Sequence, residues 1–186
     1  MKRRNPIPQR TRIFLGCEGE SEQSYGVLLA RLVERQHQRI FLNTVLLRPG
    51  GGDPLGLVQL AERKKREAEK KSGSFAAAFV LLDSDKKGIV PARDQQAEAL
   101  AVEAGLDLIW QEPCHEAIIL RHLPNCDQMR PPTTALAIST LHARWPTFVK
   151  AMPASKLSST LDDAHVRRAR AVEPGLSRLL EALLFV

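Results

Sequence analysis

Phe79-Val80-Leu81-Leu82-Asp83-Ser84-Asp85 is an apolar run that stops at two carboxylates one residue apart. A run of this kind, with near-continuous apolar residues from Phe75 to Leu82, predicts a strand covered on both faces. Residues i and i+2 of a strand project the same way, so Asp83 and Asp85 are expected to point in one direction from its end. Upstream, Arg12-Ile13-Phe14-Leu15-Gly16-Cys17-Glu18-Gly19-Glu20-Ser21-Glu22 repeats the design: a short apolar strand that breaks into acid and glycine.

Working outward, the chain alternates strand and helix. After the turn at Glu18 to Ser21, Tyr25, Leu28, Leu29, Leu32 and Val33 mark one buried helix face, with Ser21 or Ser24 as the expected cap. Ile40 to Leu47 reads as the second strand. Gly50-Gly51-Gly52-Asp53-Pro54 leads into a helix with Asp53 as N-cap. The glycine triplet lacks the lysine-serine ending of a phosphate-binding loop and is read as a plain turn. The helix from Leu55 to Lys71 ends in a charged half that reads as a solvated face with Glu–Lys pairing rather than a nucleic-acid rail. A helix from Pro91 to Ala104 and a strand from Leu106 to Trp110 complete the series, and a short helix follows Pro113. This order predicts an α/β fold: a Rossmann-like parallel sheet of about four strands flanked by helices, with a mostly helical C-terminal part. The expected division is a flexible basic arm at 1–11, the α/β core at 12–123, and a helical extension at 124–186 packed on it. Within the extension, 157–172 and 174–184 read as helices.

In parallel sheets, sites lie outside the carboxyl ends of the strands. Glu18, Asp83 and Asp85 all fall at such ends, and Glu116, in the first turn of the helix after Pro113, faces the same edge. Hard divalent cations such as Mg²⁺ or Mn²⁺ take oxygen ligands of this kind. Asp and Ser are also ordinary turn residues, so the pair alone leaves a turn open as an alternative. Cys114, His115, His122 and Cys126 match no common zinc spacing. No Gly-x-Ser-x-Gly elbow and no Gly-x-Gly-x-x-Gly fingerprint occurs.

The 186 residues suit one domain of ordinary globular composition, 44% hydrophobic and 26% charged. No apolar run approaches the roughly 20 residues of a membrane span, and no signal core follows the basic first residues. Three cysteines give no disulfide framework. A cytoplasmic protein without membrane contact is expected. A net charge of +6 permits contact with nucleic acid, through phosphates rather than bases, since only 5% of residues are aromatic.

The Glu18-Gly19-Glu20-Ser21-Glu22 and Leu82-Asp83-Ser84-Asp85 segments resemble the Toprim signature of topoisomerases, primases and OLD-type nucleases. Pro113-Cys114-His115-Glu116-Ala117-Ile118-Ile119-Leu120-Arg121-His122-Leu123 resembles a Pro-Cys-Phe-Glu-x-Trp-x-x-x-His-Phe segment of RloB-like proteins. Those are small Toprim-like proteins often paired with an AAA or ABC-type ATPase in bacterial anti-phage systems. The resemblance implies a Mg²⁺- or Mn²⁺-dependent nuclease working with such a partner. It implies Glu18 as general base or metal ligand, Asp83 and Asp85 as the metal pair, and Glu22 and Glu116 as further ligands. His122 and Glu20 fall within its motifs, and Lys156 stands where a lysine would offset phosphate charge. His115 and Ala117 depart from it, where an aromatic and tryptophan are usual. The alternative is a non-catalytic regulatory or nucleic-acid-binding subunit of an ATPase-containing complex. A receiver-like phosphoacceptor domain fits less well, because strand one ends in glutamates and strand three in Asp-x-Asp.

Overall fold

The computed structural model describes residues 10–36, 39–48 and 53–185. Strands β1 (Thr11–Cys17), β2 (Ile40–Leu46), β3 (Ala77–Asp83) and β4 (Asp107–Gln111) form one sheet in the order β2-β1-β3-β4. Every pairing is parallel, with Cys17 opposite both Leu46 and Leu81, and Asp83 opposite Gln111. The helices between strands are α1 (Glu20–Arg35), α2 (Pro54–Ser72) and α3 (Pro91–Glu103). After β4 come α4 (His115–His122), α5 (Thr134–Arg144), α6 (Ala154–Leu157), α7 (Asp163–Arg170) and α8 (Pro174–Ala182). The chain is thus an α/β protein with a Rossmann-like parallel sheet flanked by helices.

The unbroken apolar runs follow from coverage of both faces. Ile13, Leu15, Phe79 and Leu81 enter one core, with Leu28 and Leu29 of α1. Phe14, Val80 and Leu82 enter the other, with Val58 of α2 and Ala97 and Ala101 of α3. Each such leucine contributes about 1.5–3 kcal/mol of apolar transfer free energy. Leu141, Leu157, Val166, Leu176 and Phe185 join the first core, so the described part of the expected extension, residues 124–185, contributes to the same interior as the sheet. No helix among the described residues is long and apolar enough to cross a membrane.

Close approach fixes α1 on the sheet. A Cβ on Gly26 would meet Thr44 Cγ2 at 2.6 Å and Leu15 Cδ2 at 2.9 Å, so even a methyl there would force those side chains to shift. Asp53 caps α2 as expected, accepting from the N–H groups of Leu55 and Gly56 at 3.0 and 3.3 Å. The charged half of α2 carries the i,i+4 pairs Arg66–Glu62 and Lys65–Glu69, both at 3.2 Å. Gly50, Gly51 and Gly52 lie outside the described residues, as do residues 1–9 of the expected arm. Thr11, assigned to that arm, already belongs to β1 and donates its N–H to the Arg39 carbonyl at 2.8 Å.

Two local expectations are corrected. Residues 157–172 are not one helix: α6 stops at Leu157, and Asp162 starts α7 anew by accepting from the His165 N–H at 3.1 Å. Neither Ser21 nor Ser24 caps α1; Gly19 stands at the N-cap, and the Glu22 side chain accepts its N–H at 3.1 Å.

Candidate functional site

Strand order reverses direction between β1 and β3: the chain leaves β1 for β2 on one side and later returns to β3 on the other. Such a switch point opens a crevice at the carboxyl ends of the strands. Glu18 directly follows β1 and Asp83 ends β3. The Asp83 N–H donates to Glu18 Oε2 at 3.1 Å, tying the two strand ends together. Asp83 Oδ1 accepts from the His115 N–H at 2.8 Å, at the start of α4. That contact brings Glu116, one residue on, to the same place.

A cavity of about 330 Å³ lies here, lined by Glu18, Glu20, Glu22, Asp83 and Glu116 together with Ser21, Arg48 and Lys150. Glu22 and Glu116 are 4% and 2% exposed. The Glu116 Oε1 atom is buried without any hydrogen-bond partner. Burial pushes the Asp83 carboxyl up to about 8, and the charges of Glu22, Glu18 and Glu116 push in the same direction. Glu18 is also raised, mainly by burial. The Asp83 N–H opposes that shift, Glu22 and Asp85 add to it, and Lys86 eases it. Burial and the neighbouring acids therefore push Asp83 toward its protonated form.

The remaining candidates fall elsewhere. Asp85 is exposed in the turn after β3 and does not line the cavity, although its charge still reaches Glu18. The reason is a bend at Ser84, whose N–H reaches the carbonyls of Gln111 at 3.0 Å and Pro113 at 3.2 Å, so strand alternation ends at Asp83. Glu20 lines the cavity and pairs with Arg48 at 2.7 Å. Lys156 is exposed on α6 and takes no part in the lining. His122 is 0% exposed, with Nδ1 donating to the Ile118 carbonyl at 2.8 Å and Nε2 bonded to the Tyr25 hydroxyl at 2.9 Å. Burial pushes it down to about 4, so it is a neutral core histidine.

At the two departures from the RloB-like segment, the side chains are packed in. The His115 ring is bonded to Gln111 at 2.8 Å and lies edge-on to Tyr25, while Ala117 shares a small cluster with Cys114 and Ala137. All three cysteines are free and buried.

Sequence reasoning missed Lys150, Arg48 and Ser21. Lys150 and Ser21 meet through a contact spanning 130 positions, in which the Ala151 N–H donates to Ser21 Oγ at 3.0 Å. Arg48 carried a local signal, being one residue past the expected end of the second strand, and Ser21 lay inside the acidic segment but was read as a cap. A larger apolar groove of about 610 Å³, lined by Phe79, Val102, Leu108 and Trp110, holds none of the candidate acids.

The acids fit a hard divalent cation by donor chemistry, since the set is all oxygen and one buried carboxylate oxygen has no partner. Leaving such an atom unsatisfied costs about 1–3 kcal/mol or more, which a cation would relieve. Among the described residues, no three His, Cys, Asp or Glu side chains already stand close enough together to hold an ion. Ion binding thus requires these side chains to close in. No family model matches the chain, and neither a curated protein nor a solved structure does.

Proposed function

We propose that the chain is a divalent-metal-dependent nuclease of the Toprim kind, RloB-like, acting on DNA or RNA in an anti-phage system with an ATPase partner. The observation that supports it most is the gathering of Glu18, Glu22, Asp83 and Glu116 at the switch point, with Glu116 Oε1 left without a partner. Those four would hold Mg²⁺ or Mn²⁺. When bound, the ion supplies charge neutralisation for a phosphodiester and a more acidic water. The chain's own residues set the rest. The Asp83 N–H orients Glu18, the His115 N–H orients Asp83, and the Gly19 N–H orients Glu22. Glu18, partly buried and with its carboxyl pushed above the ordinary range by that burial, is a stronger proton acceptor than a free glutamate. The net charge of +6 supports an anionic polymer as substrate.

The test is cleavage of mixed DNA and RNA by the purified protein with Mn²⁺ or Mg²⁺, beside Asp83→Ala. Activity in the parent and not in the variant is the expected result. Equal cleavage by both would overturn the assignment, as would Mn²⁺ binding unchanged in Asp83→Asn by calorimetry. A second reading, a non-hydrolytic subunit of an ATPase complex, is favoured because, although the acids line one cavity, no three of them among the described residues are spaced to hold an ion. It expects neither cleavage nor saturable Mn²⁺ binding.

A further inference from the structure

We infer that the outer edge of β4 docks a second copy of this chain, the two β4 strands pairing antiparallel about Ile109 so that the four-stranded sheet is doubled. This goes beyond the nuclease reading and does not depend on a metal.

Among the described residues, β4 pairs with β3 on one side and with no strand on the other. The N–H and C=O of a strand residue point to the same side, and the side alternates along the strand. The Gln111 carbonyl accepts from the Ser84 N–H, on the β3 side. Gln111, Ile109 and Asp107 therefore face β3, and the backbone groups of Leu108 and Trp110 face outward. An open edge of this kind is a template for another strand. Arg178 Nη2 reaches the Leu108 carbonyl at 3.4 Å. An incoming N–H can replace that long contact, because the guanidinium keeps its two 2.8 Å bonds to Asp107.

Symmetry, apolar surface and charge together select a second copy as the occupant. The outward residues flank Ile109 evenly, so an antiparallel copy sets Leu108 against the second copy's Trp110, and Trp110 against its Leu108, each pair exchanging both backbone bonds. Their side chains line the 610 Å³ groove beside α3, where Val102 stands 82% exposed. Pairing lays the second copy's Trp110 into that groove, beside Leu108 and Val102. On the other side of the edge, a cavity of about 360 Å³ is lined by Arg178 and Glu112. Arg178 stands at the Asp107 end of β4; Glu112, exposed and in no ion pair among the described residues, lies just past Gln111. The two-fold brings each beside its opposite charge on the other copy. A one-residue slip forfeits all three matches. Because the strands run oppositely across the junction, the two acidic cavities open at opposite ends of the doubled sheet.

The test is the mass of the whole chain by light scattering, from about 1 to 100 μM, with hydrogen exchange at both limits. Twice the 20.7 kDa of one chain is expected at the upper limit. The N–H groups of Leu108 and Trp110 should be protected there and exchange faster on dilution. Val102→Glu and Leu108→Lys should each weaken association by about tenfold or more. Val102 is exposed, so its variant keeps the fold, checked by circular dichroism, even where Leu108→Lys does not. A mass of one chain throughout overturns the inference. So does a dimer that both folded variants leave unchanged, which places the interface elsewhere, and so does a mass that climbs past two chains. Protection of Leu108 and Trp110 without association would show the edge covered by the chain's own residues, and it too overturns the inference.

Discussion

Two buried clusters of ionisable groups lie at opposite ends of α4, and they solve the same problem in opposite ways. Beyond its C-terminal half, the buried guanidinium faces an opposite charge, although its Nη1 makes an ion pair without a well-formed hydrogen bond. Arg121 is 1% exposed; it donates to the carbonyls of Glu112 at 2.6 Å and Met129 at 3.1 Å and pairs with Glu173 at 3.0 Å. His122 and Tyr25 satisfy one another. At the N-terminal end, Glu116 joins four other acids, and its Oε1 is answered by nothing. Buried charge that faces its opposite holds a structure together; a crowd of carboxylates held mainly by backbone N–H groups is the arrangement expected of a site that receives something.

The sharpest way to break this contrast is to remove Arg121. Arg121→Met leaves the half-buried Glu173 with only the more distant Arg130 at 3.7 Å and should cost about 2–4 kcal/mol of unfolding free energy, measured by urea denaturation. A loss below 1 kcal/mol would place Arg121 with the uncommitted charges instead. Next in size is Tyr25→Phe, which strips His122 Nε2 of its hydroxyl partner and should cost about 1–3 kcal/mol. Thermal unfolding of the variant reads that directly.

The acidic end responds in the opposite sense. Asp83 has its folded carboxyl raised from 3.8 to about 8, so its contribution is fully present below the unfolded value near 4 and is lost as pH rises through 8. Metal-free protein should therefore weaken between pH 4 and 8, by at most about 1.4 kcal/mol per pH unit from this group. Asp83→Asn should flatten that slope, and Mn²⁺ should raise the melting temperature of the parent at pH 8 but not of the variant. A variant with the parent's slope would show that Asp83 is not the group at fault. Smallest of all, Lys156→Ala should change stability by less than about 0.5 kcal/mol, since the side chain is exposed and outside the cavity. A loss of Mn²⁺-dependent cleavage in that variant would place Lys156 in the site despite its distance from the lining.

What was legible in the sequence follows the range of the forces involved. Strand β3 and its terminal Asp83 could be read because coverage on both faces leaves a continuous apolar word, and Glu18 because β1 ends in the same way. Parallel topology then brought the two together without any further information. Asp85 was misplaced because the bend at Ser84 is imposed by carbonyls of Gln111 and Pro113, some thirty residues away, which local alternation cannot foresee. His122 sits in a motif segment, yet its tie to Tyr25 spans 97 positions and makes it a core residue. Lys150 follows a proline-containing stretch of weak periodicity and becomes a site residue only through the clasp at Ala151.

That clasp has a consequence for the order in which the molecule is assembled. Glu18 and Glu22 leave the ribosome early, Asp83 and Glu116 later, and the segment around Lys150 last of the lining residues. Contacts of such sequence separation form late, because loop closure must come first. The nascent chain thus carries its acids open to solvent until the C-terminal extension folds back onto Ser21. The lining is complete only once the segment through Ala151 has been made and has closed onto Ser21.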